Sequence, residues 1–201
     1  MVISKNNAAL AAFFYFALHL YICSYHGNNN FVVIWLKKKK TVLVTGASSG
    51  IGFFLAKEFA MNYYDLIIVS KEKNNLENAY KKLSKLANVK MFVRDLSIKG
   101  NIDNFYKILK LQDIDIDILV NNAGFGTYGP FDETSLEKEL DMIQVNISAL
   151  VHLTKLIVKD MRKKGSGKIL NISSTAAFQP GPHMAVYFAT KAFVLSFSSA
   201  L

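Results

Sequence analysis

The chain has 201 residues, enough for one domain with a sizeable core, and an apolar share of 51% beside 19% charged residues excludes an intrinsically disordered protein. A net charge of +9 would suit nucleic acid or an anionic membrane surface, but no nucleic-acid-binding motif accompanies it, so nucleic acid is excluded as a partner. One cysteine, Cys23, and four histidines without paired ligand spacing exclude a disulfide framework and a metal site.

Residues 1–40 are a hydrophobic segment that we predict to be a helical membrane anchor. Residues 8–25 carry no charged side chain and, as a helix, come near the shortest length that spans a bilayer. Four lysines at 37–40 then favour the cytoplasmic side for the rest of the chain. Two alternatives stay open. One is a secretory signal peptide, although no clear cleavage site follows the apolar run. The other is a helix that packs on the domain or on a second copy in a homo-oligomer.

From residue 41 onward, short apolar runs alternate with longer amphipathic ones. The pattern predicts strands over residues 41–45, 66–69, 89–93, 116–120 and 168–172. It predicts helices over residues 51–62, 76–87, 102–111 and 136–163, and a last helix from about residue 184. Strands separated by helices imply right-handed crossovers and a doubly wound parallel α/β sheet, the Rossmann fold. No linker divides residues 41–201, which we therefore interpret as one domain.

A glycine-rich turn follows the first of these strands, with the sequence Thr45-Gly46-Ala47-Ser48-Ser49-Gly50-Ile51-Gly52. Backbone N–H groups at the start of the next helix, together with the helix dipole, favour a bound pyrophosphate. In this interpretation Gly46 makes the turn, Gly50 allows close approach of the ligand, and Gly52 lets the helix pack on the strand. An ordinary strand-to-helix turn would not require three glycines at this spacing. The turn therefore indicates dinucleotide binding.

Tyr187 and Lys191 are four residues apart, so a helix places the phenol and the ammonium on one face. Free tyrosine has a pKa of about 10, too high for easy proton exchange at neutral pH. A neighbouring ammonium stabilises the phenolate, and lowering that pKa to neutrality corresponds to about 4 kcal/mol. Alone, the pair would more often be a surface contact on a helix. Downstream of a dinucleotide turn, it suggests an acid catalyst.

With these motifs the chain resembles the short-chain dehydrogenase/reductase family over residues 41–201. The resemblance implies a catalytic tetrad of Asn146, Ser174, Tyr187 and Lys191. Ser173 is a neighbouring candidate, but Ser174 has the family's usual spacing before Tyr187. The resemblance implies that the cofactor is bound by the glycine turn, by the residues after strands two to four, and by two of the catalytic side chains: Thr45, Gly46, Ser48, Ser49, Gly50, Ile51, Gly52, Ser70, Lys71, Asp95, Leu96, Asn122, Ala123, Gly124, Tyr187 and Lys191.

The resemblance also implies a role for each catalytic residue. Hydride passes between a nicotinamide and the carbonyl carbon while Tyr187 protonates the oxygen. Lys191 holds the nicotinamide ribose, Ser174 binds the substrate oxygen, and Asn146 holds a water that links Lys191 to solvent. Asp95 contacts the adenine ring. The segment Asn121-Asn122-Ala123-Gly124 supports the sheet and lies along the cofactor.

The second strand ends without the acid that typically binds a ribose 2′-hydroxyl in NAD-preferring sites. Ser70 and Lys71 stand there instead and predict NADP(H) over NAD(H), although Glu72 weakens that preference. Apolar and aromatic residues follow strand four and precede the last helix, which suggests a hydrophobic ketone, aldehyde or alcohol as substrate, unless they serve ordinary loop packing. These residues are Phe125, Tyr128, Pro130, Phe131, Gln179, Pro180, His183 and Met184.

Members of the family usually continue beyond the catalytic helix, whereas this sequence stops at Leu201. We therefore expect a truncated domain in which strand 168–172 has an unpaired edge and the substrate pocket lacks its cover. Two functions follow from the sequence. The first is a membrane-anchored NADP(H)-dependent oxidoreductase acting on a lipophilic carbonyl. The alternative is a nucleotide-binding protein with impaired catalysis that acts as a sensor or scaffold.

Overall fold

The computed structural model describes residues 39–201 and, before them, the backbone of three short strands. These are β1 (Val2–Ile3), β2 (Tyr21–His26) and β3 (Asn30–Trp35), which form an antiparallel sheet in the order β1-β3-β2. The helix predicted over residues 8–25 is therefore wrong over residues 21–25, where aromatic and β-branched side chains favour a strand. The rest of that predicted helix, residues 8–20, lies outside the described residues.

Residues 40–201 form a separate compact unit built on five parallel strands. They are β4 (Thr41–Thr45), β5 (Asp65–Ser70), β6 (Val89–Val93), β7 (Ile118–Asn121) and β8 (Lys168–Asn171). The strand order is β6-β5-β4-β7-β8, so the crossovers reverse direction between β4 and β7. The predicted doubly wound sheet is confirmed. Open sheets of this kind bind ligands at the carboxyl ends of the strands where the order reverses.

Six α-helices accompany this sheet: α1 (Gly50–Met61), α2 (Lys73–Leu83), α3 (Asn101–Leu111), α4 (Leu136–Ile143), α5 (Leu150–Lys164) and α6 (Ala185–Ala200). A π-helical turn, Gln144–Ala149, joins α4 to α5 in one continuous run. A short 3₁₀ helix, Thr175–Phe178, precedes α6. The five helices predicted after residue 41 are all present, with bounds displaced by a few residues.

The sheet is covered on both faces, because successive residues of each buried strand point to opposite sides. On one face Leu43 and Leu119 pack with Phe105 of α3 and Leu153 of α5. On the other face the alternate strand residues Val42, Val44 and Ile68 pack with Ala56 of α1 and Leu76 of α2. The central strands β4 and β7 are thereby buried and fix the turn and the loop that follow them. The edge strand β8 is partly exposed, with Leu170 at 39%.

Among the described residues, one helical run is long and apolar enough to cross a bilayer, Leu136–Lys164. Its residues Leu153, Ile157 and Met161 belong to the core beneath the sheet, and this packing accounts for its apolar side. The anchor expected in residues 1–40 falls mainly on residues outside the described part of the chain. It stays a prediction.

Candidate active site

The glycine turn after β4 has the backbone that its sequence predicts. Gly46 and Gly50 adopt φ values of +66° and +54°, a region that favours glycine. The Gly46 N–H donates to Val69 O at 2.7 Å, which ties the turn to β5. A Cβ at Gly52 would lie 2.3 Å from Gly46 O, so helix α1 can approach the turn only without a side chain there. A Cβ at Gly50 would meet no protein atom within 4 Å, which leaves the space above the turn open.

The segment that follows β7 locks this turn in place. Thr45 Oγ1 accepts hydrogen bonds from the N–H groups of Asn122 and Ala123, both at 3.0 Å. The Asn122 amide donates to Thr45 O at 3.0 Å and to Gly46 O at 3.2 Å. Gly46 itself has no room for a side chain, because a Cβ would lie 2.9 Å from Ala123 Cα. The two motifs, far apart in sequence, are thus one hydrogen-bonded unit.

A cleft extends from the turn across the ends of β5 and β6. Ser48 and Ser70 are joined by a hydrogen bond of 3.0 Å between their hydroxyls, and Lys71 lines the cleft beside them. Arg94 also lines it, at the end of β6, and sequence reasoning missed this second cation. Its position directly after a strand, next to Asp95, was the signal that could have identified it.

The other residues that the sequence predicts at the cofactor differ in how far their side chains are free to contact a ligand. Asp95 Oδ1 accepts from Ser97 N at 2.9 Å and from Ser97 Oγ at 2.7 Å, so the carboxylate shapes the loop after β6. Leu96 is 7% exposed and its side chain belongs to the core, which leaves its backbone for any ligand contact. Ile51, by contrast, is exposed at the first turn of α1. Ser49 is the N-cap of that helix and makes no side-chain capping bond.

Asn146 lies in the π-helical turn between α4 and α5 and is 2% exposed. Its amide donates to Phe125 O at 2.9 Å and to Thr190 Oγ1 at 3.0 Å, while Oδ1 accepts from Phe125 N at 3.1 Å. A Cβ atom added to Gly124 would lie 2.8 Å from Asn146 Oδ1 and 3.6 Å from Lys191 Nζ. Asn146 therefore joins the loop after β7 to helix α6, and Thr190 is a partner that sequence reasoning missed.

Lys191 and Tyr187 share one face of α6, as their spacing predicts. The Lys191 side chain is buried, and its Nζ donates to Ile172 O at 3.0 Å and lies 5.8 Å from the centroid of the Tyr187 ring. Burial lowers the pKa of the Lys191 ammonium from its usual range. Tyr187 is half-buried and packs against Gly126, where a Cβ would be 2.9 Å from Cδ2 of the ring. Asn146, Lys191 and Tyr187 thus gather around residues 124–126.

The two serines after β8 have different partners. Ser173 Oγ donates to Lys191 O at 2.9 Å and so helps to hold α6. Ser174 caps the 3₁₀ helix by accepting from Ala176 N at 3.1 Å, which leaves its hydroxyl proton available as a donor. Of the two serines, Ser174 is therefore the one whose hydroxyl can still donate to a ligand.

The loops expected around the substrate meet at one point. The Gly129 N–H donates to His183 O at 2.9 Å, and the Tyr128 and His183 rings lie 5.5 Å apart. His183 adopts a φ of +61°, unusual for a residue with a side chain. Other apolar side chains of these loops, Phe131 and Phe178, are exposed. The loops therefore present aromatic surface at the carboxyl edge of the sheet.

Comparison with known proteins places this geometry in a family. Residues 40–201 match the family described as short chain dehydrogenase. A very-long-chain 3-oxoacyl-CoA reductase from Anas platyrhynchos is 35% identical over 167 residues, which cover 79% of this chain and 53% of the reductase. The chain therefore spans about half the length of that relative.

Two solved structures share the fold. One is the bulky-bulky ketone specific alcohol dehydrogenase from Comamonas testosteroni, with 31% identity, a TM-score of 0.76, and coverage of 82% of this chain and 67% of that one. The other is a short-chain dehydrogenase from Sphingobium yanoikuyae in complex with NADPH, with 36% identity, a TM-score of 0.75, and coverage of 81% and 64%. On the extent of the family match, with these likenesses, the chain belongs to the short-chain dehydrogenase family of NAD(P)-dependent oxidoreductases.

Proposed function

We propose that this protein is an NADP(H)-dependent oxidoreductase that interconverts a hydrophobic ketone and its alcohol. The observation that carries the proposal is the gathering of Asn146, Lys191 and Tyr187 around residues 124–126, next to a glycine turn with open space above Gly50. Gly46, Gly50 and Gly52 fit a dinucleotide, because side chains there would fill the turn or project into the approach of the pyrophosphate.

The side chains divide the chemistry between them. Tyr187 donates the proton to the carbonyl oxygen, and Ser174 donates a hydrogen bond to the same oxygen. Lys191 stabilises the phenolate that Tyr187 becomes after it has donated its proton. By resemblance to the family, Lys191 also holds the ribose. Asn146 fixes the loop and the helix to each other. A nicotinamide bound at this site would supply the hydride to the carbonyl carbon or accept it from the alcohol carbon.

The substrate class follows from the loops and agrees with the relatives. The Tyr128 and His183 rings, 5.5 Å apart, present aromatic surface in the two loops that flank Gly126 and Tyr187 in the sequence, and such surface suits an apolar chain or ring. The relatives named above include a reductase of 3-oxoacyl-CoA and a dehydrogenase specific for bulky ketones. We therefore propose a lipophilic ketone with a bulky substituent on each side of the carbonyl.

The proposal is tested by NADPH oxidation, followed by absorbance, with a panel of ketones that differ in hydrophobicity. We expect turnover that rises from acetone to aryl ketones and β-keto esters. Tight NADPH binding without turnover of any ketone would support the non-catalytic, nucleotide-binding alternative instead. The absence of both binding and turnover would contradict both functions.

Cofactor preference is a separate prediction that rests on two cations. Lys71 and Arg94 line the same cleft as Ser70, so a 2′-phosphate beside Ser70 would share the cleft with two positive charges. Glu72 lines the cleft as well and reduces the effect. We expect NADPH, which carries the 2′-phosphate, to bind at least about tenfold more tightly than NADH, which lacks it. Fluorescence titration measures both affinities. Lys71→Glu should shift this ratio towards NADH, whereas Lys81→Glu, on the exposed face of α2, should leave it unchanged. Equal affinity of the unmodified protein for both cofactors would contradict the prediction.

We also propose that residues 1–40 attach the protein to a membrane with residues 41–201 on the cytoplasmic side. The support is the uncharged run at residues 8–25 followed by the lysines at 37–40, which favour the cytoplasmic surface. Because residues 21–25 form a strand, the proposal is attachment to the membrane and not one spanning helix over residues 8–25. The full chain should sediment with membranes, and deletion of residues 1–40 should release it. Protease added to sealed vesicles should show on which side of the membrane residues 41–201 lie. Recovery of the full chain in the supernatant without detergent would refute the anchor.

A further inference from the structure

Glu139 on α4 is a buried carboxylate to which the proposed reaction assigns no role. It is 8% exposed, its Oε1 accepts a hydrogen bond of 2.6 Å from Thr127 Oγ1, and its Oε2 has no hydrogen-bond partner in the described part of the chain. Removal of a carboxylate oxygen from water without a partner is unfavourable. A group retained at that cost calls for an explanation, and its contact with Thr127 provides one.

Thr127 belongs to the loop after β7, and one helical run holds this loop at two points. Glu139 and Asn146 are about two helical turns apart, so they lie on the same side of that run. Asn146 binds the backbone N–H and C=O of Phe125 at 3.1 and 2.9 Å. Glu139 binds the side chain of Thr127. The two attachments therefore flank Gly126.

Gly126 is the point at which this loop supports the Tyr187 ring. A Cβ at Gly126 would lie 2.9 Å from Tyr187 Cδ2, 3.1 Å from Cγ and 3.2 Å from Met184 Cε. The gap between the Gly126 backbone and the ring is thus too small for a side chain. If the loop moves when one of its two attachments is lost, the ring loses its support and the phenol its orientation. Small displacements of an acid catalyst have large effects on turnover.

We propose that Glu139 is a positioning residue for Tyr187. Together with Asn146 it clamps residues 125–127, so that Gly126 holds the phenol in the orientation required for proton transfer. Glu139 touches neither substrate nor cofactor in this arrangement and acts through Thr127 and Gly126. The inference rests on the proposed function for its kinetic readout.

Three variants test the clamp, with NADPH and ethyl benzoylacetate as the probe pair. Thr127→Val removes the hydroxyl at similar volume, Glu139→Ala removes the carboxylate, and Glu139→Gln keeps an oxygen that can accept from Thr127. We expect the first two to lower kcat by about tenfold with the Kd for NADPH unchanged, and Glu139→Gln to retain kcat within about twofold. The double variant Thr127→Val/Glu139→Ala should fall no further than Glu139→Ala alone, because both remove one interaction. Glu137→Ala, on the exposed surface of the same helix, is the matched control.

Hydrogen exchange gives a second readout that needs no substrate. Amides of residues 124–129 should exchange faster in Thr127→Val and Glu139→Ala, while residues 45–52 keep their protection. Unchanged exchange at residues 124–129, or additive losses of kcat in the double variant, would overturn the clamp. If the unmodified protein does not reduce the probe, the proposed function fails on its own, and exchange alone decides whether Glu139 holds the loop.

Discussion

Tyr187→Phe should lower kcat for ketone reduction by about 10³-fold and leave the Kd for NADPH unchanged. The phenol is the proton donor of the proposed reaction, and phenylalanine keeps the ring that packs on Gly126 while removing the hydroxyl. The buried Lys191 also keeps its hydrogen bond to Ile172 O, so helix α6 remains in place. The loss should therefore appear in the chemical step and in no other property. Stopped-flow oxidation of NADPH under single-turnover conditions measures that step.

The control for this prediction is Tyr63→Phe. Tyr63 is 79% exposed and follows α1 at the opposite edge of the sheet, so the same chemical change there should alter neither kcat nor NADPH affinity. A Tyr187→Phe variant that retains most of its activity would show that another group supplies the proton. A variant that loses NADPH affinity in parallel with kcat would show that the hydroxyl serves binding.

Much of the fold could be predicted because its signals are local. Strands β4 and β5 are recognised by their β-branched runs, and the helices by the spacing of their apolar residues. Both patterns repeat within a few residues of the sequence. The observed bounds of an element differ from the predicted ones where pairing with a neighbouring strand decides them. Strand β7 begins at Ile118, two residues later than predicted, because its pairing with β4 starts at Val42. The helix expected over residues 21–25 was wrong for a similar reason, since antiparallel pairing with β3 decides the structure there.

The candidate site was only partly predictable from the sequence. Glycine spacing and the interval between Tyr187 and Lys191 are visible in the chain itself, and the structure brings the corresponding residues to one edge of the sheet. Arg94 was missed because its proximity to Lys71 arises from the neighbouring positions of β5 and β6. Glu139 was missed because a charged residue in an amphipathic helix normally faces solvent. Its burial depends on the loop that carries Thr127.

Gly52→Ala should mainly lower stability and Gly50→Ala should mainly lower NADPH affinity, although the two glycines lie in the same turn. A Cβ at Gly52 would stand 2.3 Å from Gly46 O and 2.4 Å from Asn122 Nδ2, so α1 and the turn must separate. Overpacking of this kind costs about 3 kcal/mol, a large part of a domain's net stability. A Cβ at Gly50 meets no protein atom within 4 Å, and the strain of its φ of +54° costs about 1 kcal/mol. Gly50→Ala should therefore remain folded but bind NADPH at least about tenfold more weakly, because the methyl group occupies the approach of the pyrophosphate.

Gly165→Ala separates strain from ligand contact in this comparison. Gly165 has a φ of +73° and no atom within 4 Å of its Cβ position, but it ends α5 at the other edge of the sheet. It should lose about as much stability as Gly50→Ala in urea denaturation and keep its affinity for NADPH. Equal losses of affinity in Gly50→Ala and Gly165→Ala would mean that backbone strain, and not the closeness of a ligand, explains the glycine at position 50. Wild-type stability of Gly52→Ala would show that α1 does not need the contact with the turn that the structure gives it.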